Sequence, residues 1–347
     1  MTGMKKDIES LIRPNIAALC PYSTARDEYK GKLGIFIDAN ESPYENGYNR
    51  YPDPRQASLK QRIGALKGIP VENLFLGNGS DEAIDLIFRI FCRPGIDNFA
   101  AIEPSYGMYS VSAHINDIEE RSVRLGEGYS LPYEKLIEAC DENTKVMFLC
   151  SPNNPSGNAF EREDILRIAD SFKGILVVDE AYVDFSEKGS LVPDALERGD
   201  IIVLQTLSKA WGMAGLRLGM AVSSERIISV MSNVKYPYNI NKSGQELAMK
   251  ILGQPIAERI AEIKAQRGIV AARLAGMPFV EKVYPSDANF LLVKVDDADA
   301  VYNHLVSDGI IVRNRNRVPG CKNCLRITIG LEEENKALFE SLNKYCK

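Results

Sequence analysis

The segment Ile175-Leu176-Val177-Val178-Asp179-Glu180-Ala181-Tyr182 indicates the fold class, because an apolar run of strand length leads directly into polar side chains. Near-continuous runs of Val, Ile and Leu are typical of strands buried on both faces of a parallel sheet. Such runs recur at 99–102, 146–150 and 201–204, with amphipathic helical stretches between them that include 82–91 and 161–171. The alternation predicts an α/β protein whose large domain has a mostly parallel, doubly wound sheet.

The pattern changes after Asn241, where longer helical stretches precede well-separated short strands. The predicted helices are 243–252, 256–274, 297–307 and 332–345, and the predicted strands are 289–295, 309–313 and 325–329. This order is typical of a smaller α+β domain. We therefore predict an N-terminal arm with part of the small domain at 1–40, the large domain at 41–245 and the small domain at 246–347.

Length and charge exclude several classes of protein. The chain has 347 residues, of which 45% are hydrophobic and 26% charged, which argues against disorder. Its net charge of −5 provides no general attraction to nucleic acid. No apolar run approaches the ~18 residues that span a bilayer, and the first residues lack the apolar core of an export signal. We expect a cytoplasmic protein that binds neither nucleic acid nor membranes.

Histidine and cysteine content limits the chemistry available to the chain. The two histidines, His114 and His304, are isolated in helical patterns, so a Ser-His-Asp triad or a His-rich metal site is not expected. The seven cysteines are odd in number and suit free thiols in a reducing compartment. Cys321 and Cys324 form a CxxC motif with no second pair, and no metal site is predicted there.

Polar residues follow the predicted strands, at the edge where ligands of α/β sheets bind. Asn154 follows the run at 146–150, Asp179 and Tyr182 follow the opening segment's run, and Lys209 follows the last. Upstream, a glycine-containing turn at 77–82 opens a helix, whose free backbone amides favour an anion. Pyridoxal phosphate requires such a set: an amine to form an imine, a carboxylate at the ring nitrogen, donors at the ring oxygen, and a phosphate cradle.

Four motifs also occur in the order of a known family. They are SPNNPSG at 151–157, VVDEAY at 177–182, TLSKAWG at 206–212 and GLR at 215–217. They resemble the motifs of the fold-type I pyridoxal-phosphate aminotransferases, and the resemblance extends from Asp38 to Arg326.

The resemblance implies a role for each residue of this set. Lys209 would form the Schiff base and shuttle the proton, Asp179 would pair with the pyridinium nitrogen, and Tyr182 completes the catalytic group. Asn154 and Tyr182 would hydrogen-bond the ring oxygen, and Tyr106 would stack on the ring. The implied phosphate ligands are Ser208, Arg217 and the backbone amides of Gly79, Ser80 and Asp81.

Further motifs resemble the histidinol-phosphate aminotransferase family. They are LCPY at 19–22, DANESP at 38–43, RYPDP at 50–54 and the pair Arg313 and Arg326. Members of that family exchange an amino group between L-histidinol phosphate and 2-oxoglutarate, giving imidazole acetol phosphate and L-glutamate. The substrate residues that the resemblance implies are Tyr22, Asn40, Asn78, Arg313 and Arg326. Arg326 would meet the phosphate and the glutamate carboxylate in turn, Asn78 could face either cofactor or substrate, and Tyr51 would reach the cofactor site of the neighbouring subunit in a homodimer.

The segment between Arg313 and Arg326 contains basic residues and no acid. Two arginines at strand ends could clamp a dianion such as phosphate by bidentate hydrogen bonds. We interpret the others, Arg315, Arg317 and Lys322, as a solvated basic loop.

Three other functions fit parts of the sequence. An aromatic or broad-specificity aminotransferase would keep every cofactor residue and differ in the substrate pocket. A decarboxylase related to threonine-phosphate decarboxylase would also bind a phosphorylated amine. A regulatory module without turnover is disfavoured by the complete set of Lys209, Asp179 and Arg217.

Overall fold

The computed structural model describes residues 6–22 and 34–345 of the chain. Residues 1–5 and 23–33 of the predicted N-terminal arm, and the last two residues including Cys346, lie outside the described residues. None of the described helices is both long and apolar enough to cross a membrane. The predicted domain boundaries stay predictions.

Seven strands of the described chain form one mixed sheet. They are β1 (Leu74–Asn78), β2 (Asn98–Glu103), β3 (Glu119–Arg124), β4 (Thr144–Cys150), β5 (Ile175–Asp179), β6 (Ile201–Thr206) and β7 (Leu218–Val222). Their order across the sheet is β1-β7-β6-β5-β4-β2-β3. β7 is antiparallel to β1 and β6, and every other neighbouring pair is parallel. The carboxyl ends of the other six strands therefore lie at one edge, where β7 begins.

Helices cover both faces of this sheet. In chain order they are α1 (Ile8–Leu11), α2 (Pro14–Ala17), α3 (Ala57–Lys67), α4 (Ser80–Phe91), α5 (Met108–Ile115), α6 (Tyr133–Glu138), α7 (Arg162–Ser171), α8 (Val192–Arg198), α9 (Glu225–Val234) and α10 (Lys242–Ile251). Leu176 and Val178 of β5 belong to the apolar cluster on one face, whereas Ile175 and Val177 belong to the cluster on the other. All four are buried, which explains the continuous apolar run and confirms the doubly wound prediction.

A second, antiparallel sheet has the order β10-β11-β9-β8, and its elements follow α10 in the chain. They are α11 (Ala257–Ala275), β8 (Val280–Val283), β9 (Phe290–Val295), α12 (Ala298–Ser307), β10 (Arg313–Asn314), β11 (Cys324–Thr328) and α13 (Glu332–Tyr345). A separate apolar cluster that includes Val293, Leu305, Leu325 and Phe339 joins the helices to the sheet. This α+β unit agrees with the prediction for the C-terminal part.

The predicted strand at 309–313 is wrong over most of its length. Gly309 has φ +79° and its N–H donates to the Val306 carbonyl, while the Ile310 N–H donates to Leu305. These bonds end helix α12, because a glycine in the left-handed region is the usual helix stop. Ile311 is then 73% exposed, and pairing with β11 begins only at Arg313.

Strand β7 packs directly against the backbone at the start of α4, because Gly219 has no side chain to separate them. A Cβ on Gly219 would lie 2.1 Å from the Ser80 nitrogen and 2.4 Å from the Gly79 carbonyl carbon. Gly79 has φ +75°, which favours glycine, and its N–H donates to the Arg217 carbonyl at 2.6 Å. The position of β7 therefore fixes the turn that opens α4.

Replacing Gly219 by alanine should lower the free energy of unfolding by about 1–3 kcal/mol, because the added methyl group displaces the turn before α4. Gly268→Ala is the control, since a Cβ there meets no atom within 4 Å inside α11. That change should raise stability by about 0.5–1 kcal/mol through helix propensity. Urea unfolding followed by circular dichroism measures both, and wild-type stability in Gly219→Ala would contradict the packing argument.

Candidate active site

A solvent-connected cavity lies at the edge of the large sheet where the six parallel strands end. Its lining residues are Gly79, Ser80, Asp81, Tyr106, Cys150, Asn154, Asp179, Ala181, Tyr182, Thr206, Ser208, Lys209 and Arg217. Its empty volume is about 520 Å³, a figure that includes space open to solvent. All ten cofactor residues predicted from this chain's own subunit therefore border one cavity.

Asp179, at the end of β5, presents a buried carboxylate to this cavity. It is 2% exposed, and it accepts hydrogen bonds from the Tyr109 hydroxyl at 2.7 Å and the Ala181 N–H at 3.1 Å. Burial raises the pKa of Asp179 to about 6, although both hydrogen bonds oppose the rise. The site therefore favours a cation that could pair with this carboxylate.

Tyr109 was not among the predicted site residues. It lies on α5, three residues after Tyr106, and the two rings make an edge contact with centroids 5.6 Å apart. Tyr106 lies just before α5 and Tyr109 in its first turn, and this short spacing is the signal in the sequence that could have linked them. Its partner could not be read from the sequence, because Asp179 is 70 positions away.

Lys209 follows β6 and extends toward the same cavity. Its ammonium nitrogen lies 5.5 Å from the centre of the Tyr182 ring. Partial burial and the cationic Arg326 lower the pKa of Lys209, and Asp179 opposes this shift. The neighbouring Ser208 hydroxyl oxygen is buried without a hydrogen-bond partner among the described residues. An amine with a reduced proton affinity therefore lies next to an unused hydroxyl group.

The turn before α4 forms the anion-binding side of the cavity. Arg217 donates to Asp81 at 3.0 Å, and the Tyr106 hydroxyl donates to the other Asp81 oxygen at 3.0 Å. The first N–H groups of α4 have no acceptor within the helix, so Ser80 and Asp81 retain the predicted amide donors. The predicted role of the Gly79 amide is wrong, because that N–H is already bonded to the Arg217 carbonyl.

Arg326, on strand β11 of the second sheet, contacts one of the lining residues. One guanidinium nitrogen donates to the Asn154 side-chain oxygen at 2.5 Å, and the guanidinium carbon lies 5.2 Å from the centre of the Phe290 ring. Its Nε is buried without a partner in the described part of the chain, and burial lowers the pKa of Arg326. The side-chain amide of the neighbouring Asn153, in contrast, donates to Pro104 and Ser156. These bonds support Asn154, and not Asn153, as the residue that faces a ligand.

The interpretation of the basic segment needs one correction. Arg317 and Lys322 are exposed as expected, and Arg313 is exposed at the start of β10. Arg315 is half-buried instead, and burial with the nearby Arg326 and Arg313 lowers the pKa of Arg315 to about 10. Proximity to Arg326 could not be inferred from a run of basic residues alone.

Besides Arg313 and Arg326, four predicted residues are not among those that line this cavity. Tyr22 is 76% exposed, and Asn40 and Tyr51 line a separate surface cavity. Tyr51 stacks on Tyr238 with ring centroids 4.4 Å apart. Asn78 is exposed at the end of β1, next to Gly79, and its N–H donates to Glu82. Tyr22, Asn40 and Tyr51 are therefore not among the residues that border the cavity with Lys209 in a single chain.

The CxxC motif shows no sign of a metal site. Cys321 and Cys324 are free buried thiols, and burial raises the pKa of each. Over the described ranges, no group of three His, Cys, Asp or Glu side chains could hold a metal ion.

Comparison with known proteins gives a consistent set of relatives. Residues 36–342 match the family model for aminotransferase class I and II. Histidinol-phosphate aminotransferase of Parabacteroides distasonis is 52% identical over 339 residues, which covers 97% of this chain and 98% of that protein. The crystal structure of histidinol-phosphate aminotransferase from Clostridium acetobutylicum has a TM-score of 0.77 at 24% identity, covering 86% of this chain and 90% of that chain. The Sinorhizobium meliloti enzyme, in complex with pyridoxal-5'-phosphate, has a TM-score of 0.76 at 22% identity and covers 86% and 83%.

Asp179 should make the stability of the cofactor-free chain depend on pH. Between pH 3.8 and about 6 the folded chain keeps a proton that the unfolded chain releases, so stability falls as the pH rises and the loss is complete above about 6. A pKa difference of about 2 corresponds to about 3 kcal/mol. Asp179→Asn cannot titrate, so its stability relative to wild type should rise by about that amount between pH 4 and pH 7 in chemical unfolding.

The comparison of the two chains isolates Asp179, because Glu180, whose pKa burial raises to about 7, is present in both. A stability difference that stays constant over this pH range would show that the Asp179 carboxylate is not desolvated as described.

Proposed function

The chain belongs to the class I and II aminotransferases, and on that premise we propose that it exchanges an amino group between L-histidinol phosphate and 2-oxoglutarate. The products are imidazole acetol phosphate and L-glutamate, and the reaction belongs to histidine biosynthesis. The observation that carries the proposal is the cavity that joins Lys209 and Asp179 to an anion cradle, in a chain 52% identical over 97% of its length to a histidinol-phosphate aminotransferase.

Pyridoxal 5'-phosphate fits the groups around this cavity. Its ring nitrogen, when protonated, can supply the cationic partner that would stabilise the desolvated Asp179 carboxylate. Its phosphate can use the unpartnered Ser208 hydroxyl, the N–H groups at the start of α4 and the half-exposed Arg217. Asn154 and Tyr182 supply polar groups between these two ends. We assign the cofactor to this cavity for these reasons.

When bound, this cofactor supplies an aldehyde for the amine and a ring that withdraws electrons from the substrate carbon. Lys209 would hold the cofactor and then serve as the base that moves the proton at the substrate carbon. A lowered pKa of the Lys209 amine increases its neutral fraction near pH 7, which general base catalysis requires. Asp179 would hold the ring nitrogen in its cationic form, and Tyr109 would orient the carboxylate by its hydrogen bond.

Arg326 and Arg313 form the substrate end of the proposed site. They lie opposite each other in the β10–β11 pair, and neither makes an ion pair with a carboxylate within the described residues. Guanidinium groups bind carboxylate and phosphate oxygens in bidentate fashion. A phosphorylated amine and glutamate can therefore use the same end of the cavity in turn.

We also propose a homodimer in the cytoplasm, with Tyr51 completing the partner's site. Large side chains are strongly exposed near the N-terminus, namely Tyr22, Ile35, Ile37, Tyr44 and Tyr48. Exposed apolar patches of this kind mark association surfaces. The free cysteines suit a reducing compartment.

A panel of amines tests the proposed reaction. Incubation of the holoenzyme with 2-oxoglutarate and L-histidinol phosphate should yield L-glutamate, and L-histidinol should be poorer by about 10⁴-fold in kcat/KM because it leaves the guanidinium donors unpaired. Equal rates with both amines would contradict the phosphate clamp. Faster reaction with aromatic amino acids, or release of carbon dioxide from threonine phosphate, would favour the alternatives named above.

Mixing two impaired variants tests the shared site. Lys209→Ala and Tyr51→Ala carry their defects in different subunits of a mixed dimer, so one site of that dimer has both residues intact. Random subunit exchange should restore about a quarter of wild-type activity, since half of the dimers are mixed and each has one intact site. Activity equal to the average of the separate variants would place Tyr51 in its own subunit's site or outside both.

A further inference from the structure

Arg315 lies on the same face of the second sheet as the two arginines already assigned to substrate. In the β10–β11 pair, Arg313 is opposite Arg326. The pairing continues beyond β10, because the Arg315 N–H donates to the Cys324 carbonyl at 2.8 Å. Side chains alternate along a strand and opposite residues share a face. Arg313, Arg315 and Arg326 therefore face the same way.

The residues on either side of Arg315 are tied to the opposite face. The Asn314 side-chain amide donates to Asp299 at 2.6 Å, and that of Asn316 donates to the other Asp299 oxygen at 3.0 Å. Asp299 lies in the first turn of α12. These bonds fix the backbone around Arg315 and leave its side chain on the Arg326 side.

The environment of Arg315 is cationic and incompletely hydrogen-bonded. Its Nε is buried without a partner in the described part of the chain. The pKa of Arg315 is lowered by burial and then by Arg326 and Arg313, while Cys321 and Tyr182 oppose that shift. Within the described ranges, no carboxylate lies within 4.0 Å of any of the three guanidiniums. Half-buried charges with unused donors favour an anionic ligand, because a ligand restores the hydrogen bonds that burial removes.

We propose that Arg315 is a specificity-determining residue that binds the phosphate group of the amino donor together with Arg313 and Arg326, an inference that rests on the proposed function. A carboxylate has two oxygens, which one guanidinium can bind in bidentate fashion. A phosphate monoester has three free oxygens and a charge of about −2. A third guanidinium therefore favours the phosphorylated amine over glutamate, although both use the same cavity.

The two half-reactions of the holoenzyme separate these substrates. Each is followed by the cofactor absorbance in a single turnover, with L-histidinol phosphate in one series and L-glutamate in the other. Arg315→Gln should lower the rate constant per unit concentration by about 10- to 100-fold for L-histidinol phosphate, the range of a lost charge-assisted hydrogen bond. For L-glutamate the same variant should lose less than about threefold.

Two further variants serve as controls. Arg317→Gln removes the same charge from an exposed neighbour and should change both half-reactions by less than about twofold. Arg315→Lys keeps the charge without the bidentate geometry, so its reaction with L-histidinol phosphate should fall between wild type and Arg315→Gln.

Equal losses for both substrates in Arg315→Gln, or no loss for either, would overturn the assignment of Arg315. A folding defect would also lower both reactions, and the melting temperature detects it. If Arg315→Gln is destabilised, the comparison of the two substrates is made with Arg315→Lys instead. If the wild-type holoenzyme reacts with L-glutamate but not with L-histidinol phosphate, the proposed function fails and the inference fails with it. If the wild-type holoenzyme reacts with both substrates, the proposed function stands and the variants test the role of Arg315 alone.

Discussion

A carboxylate removed from water is the constraint on which the rest of the site depends. Asp179 is the last residue of β5, which lies between the buried strands β4 and β6. Because Asp179 is buried there, solvent does not stabilise the charge of its carboxylate. Hydrogen bonds from the Tyr109 hydroxyl and the Ala181 N–H stabilise the carboxylate in part, but burial still raises the pKa of Asp179 to about 6. A cationic group in the cavity would stabilise this carboxylate, and the protonated ring nitrogen of the proposed cofactor is such a group.

The two sheets bring side chains of opposite charge to the region of the cavity. Asp179 lines the cavity at the edge of the large sheet, whereas Arg313, Arg315 and Arg326 belong to the second sheet, where Arg326 contacts the lining residue Asn154. Lys209 lines the same cavity, and burial and the cationic Arg326 lower the pKa of Lys209. A carboxylate on one sheet and guanidinium groups on the other therefore provide partners for ligand groups of either charge.

The sequence predicted the parts of this arrangement that depend on local patterns. Buried strands with polar residues at their ends produced Asn154, Asp179 and Lys209, because period and burial are visible in a single run. The edge strand β3 is partly polar and lacks that signal, and β7 joins the sheet antiparallel, which no run of residues reveals. Tyr109 and Arg315 were missed for a different reason: their partners are distant in sequence, and only the folded chain brings them together.

The covalent attachment of the cofactor tests the central claim most directly. Purified holoenzyme is treated with borohydride, digested and examined by peptide mass spectrometry, with Lys209→Ala as the control. The account predicts a reduced pyridoxal phosphate adduct on Lys209 and none on the other lysines. An adduct at a different lysine, or a chain that takes up no cofactor and stays colourless, would contradict it.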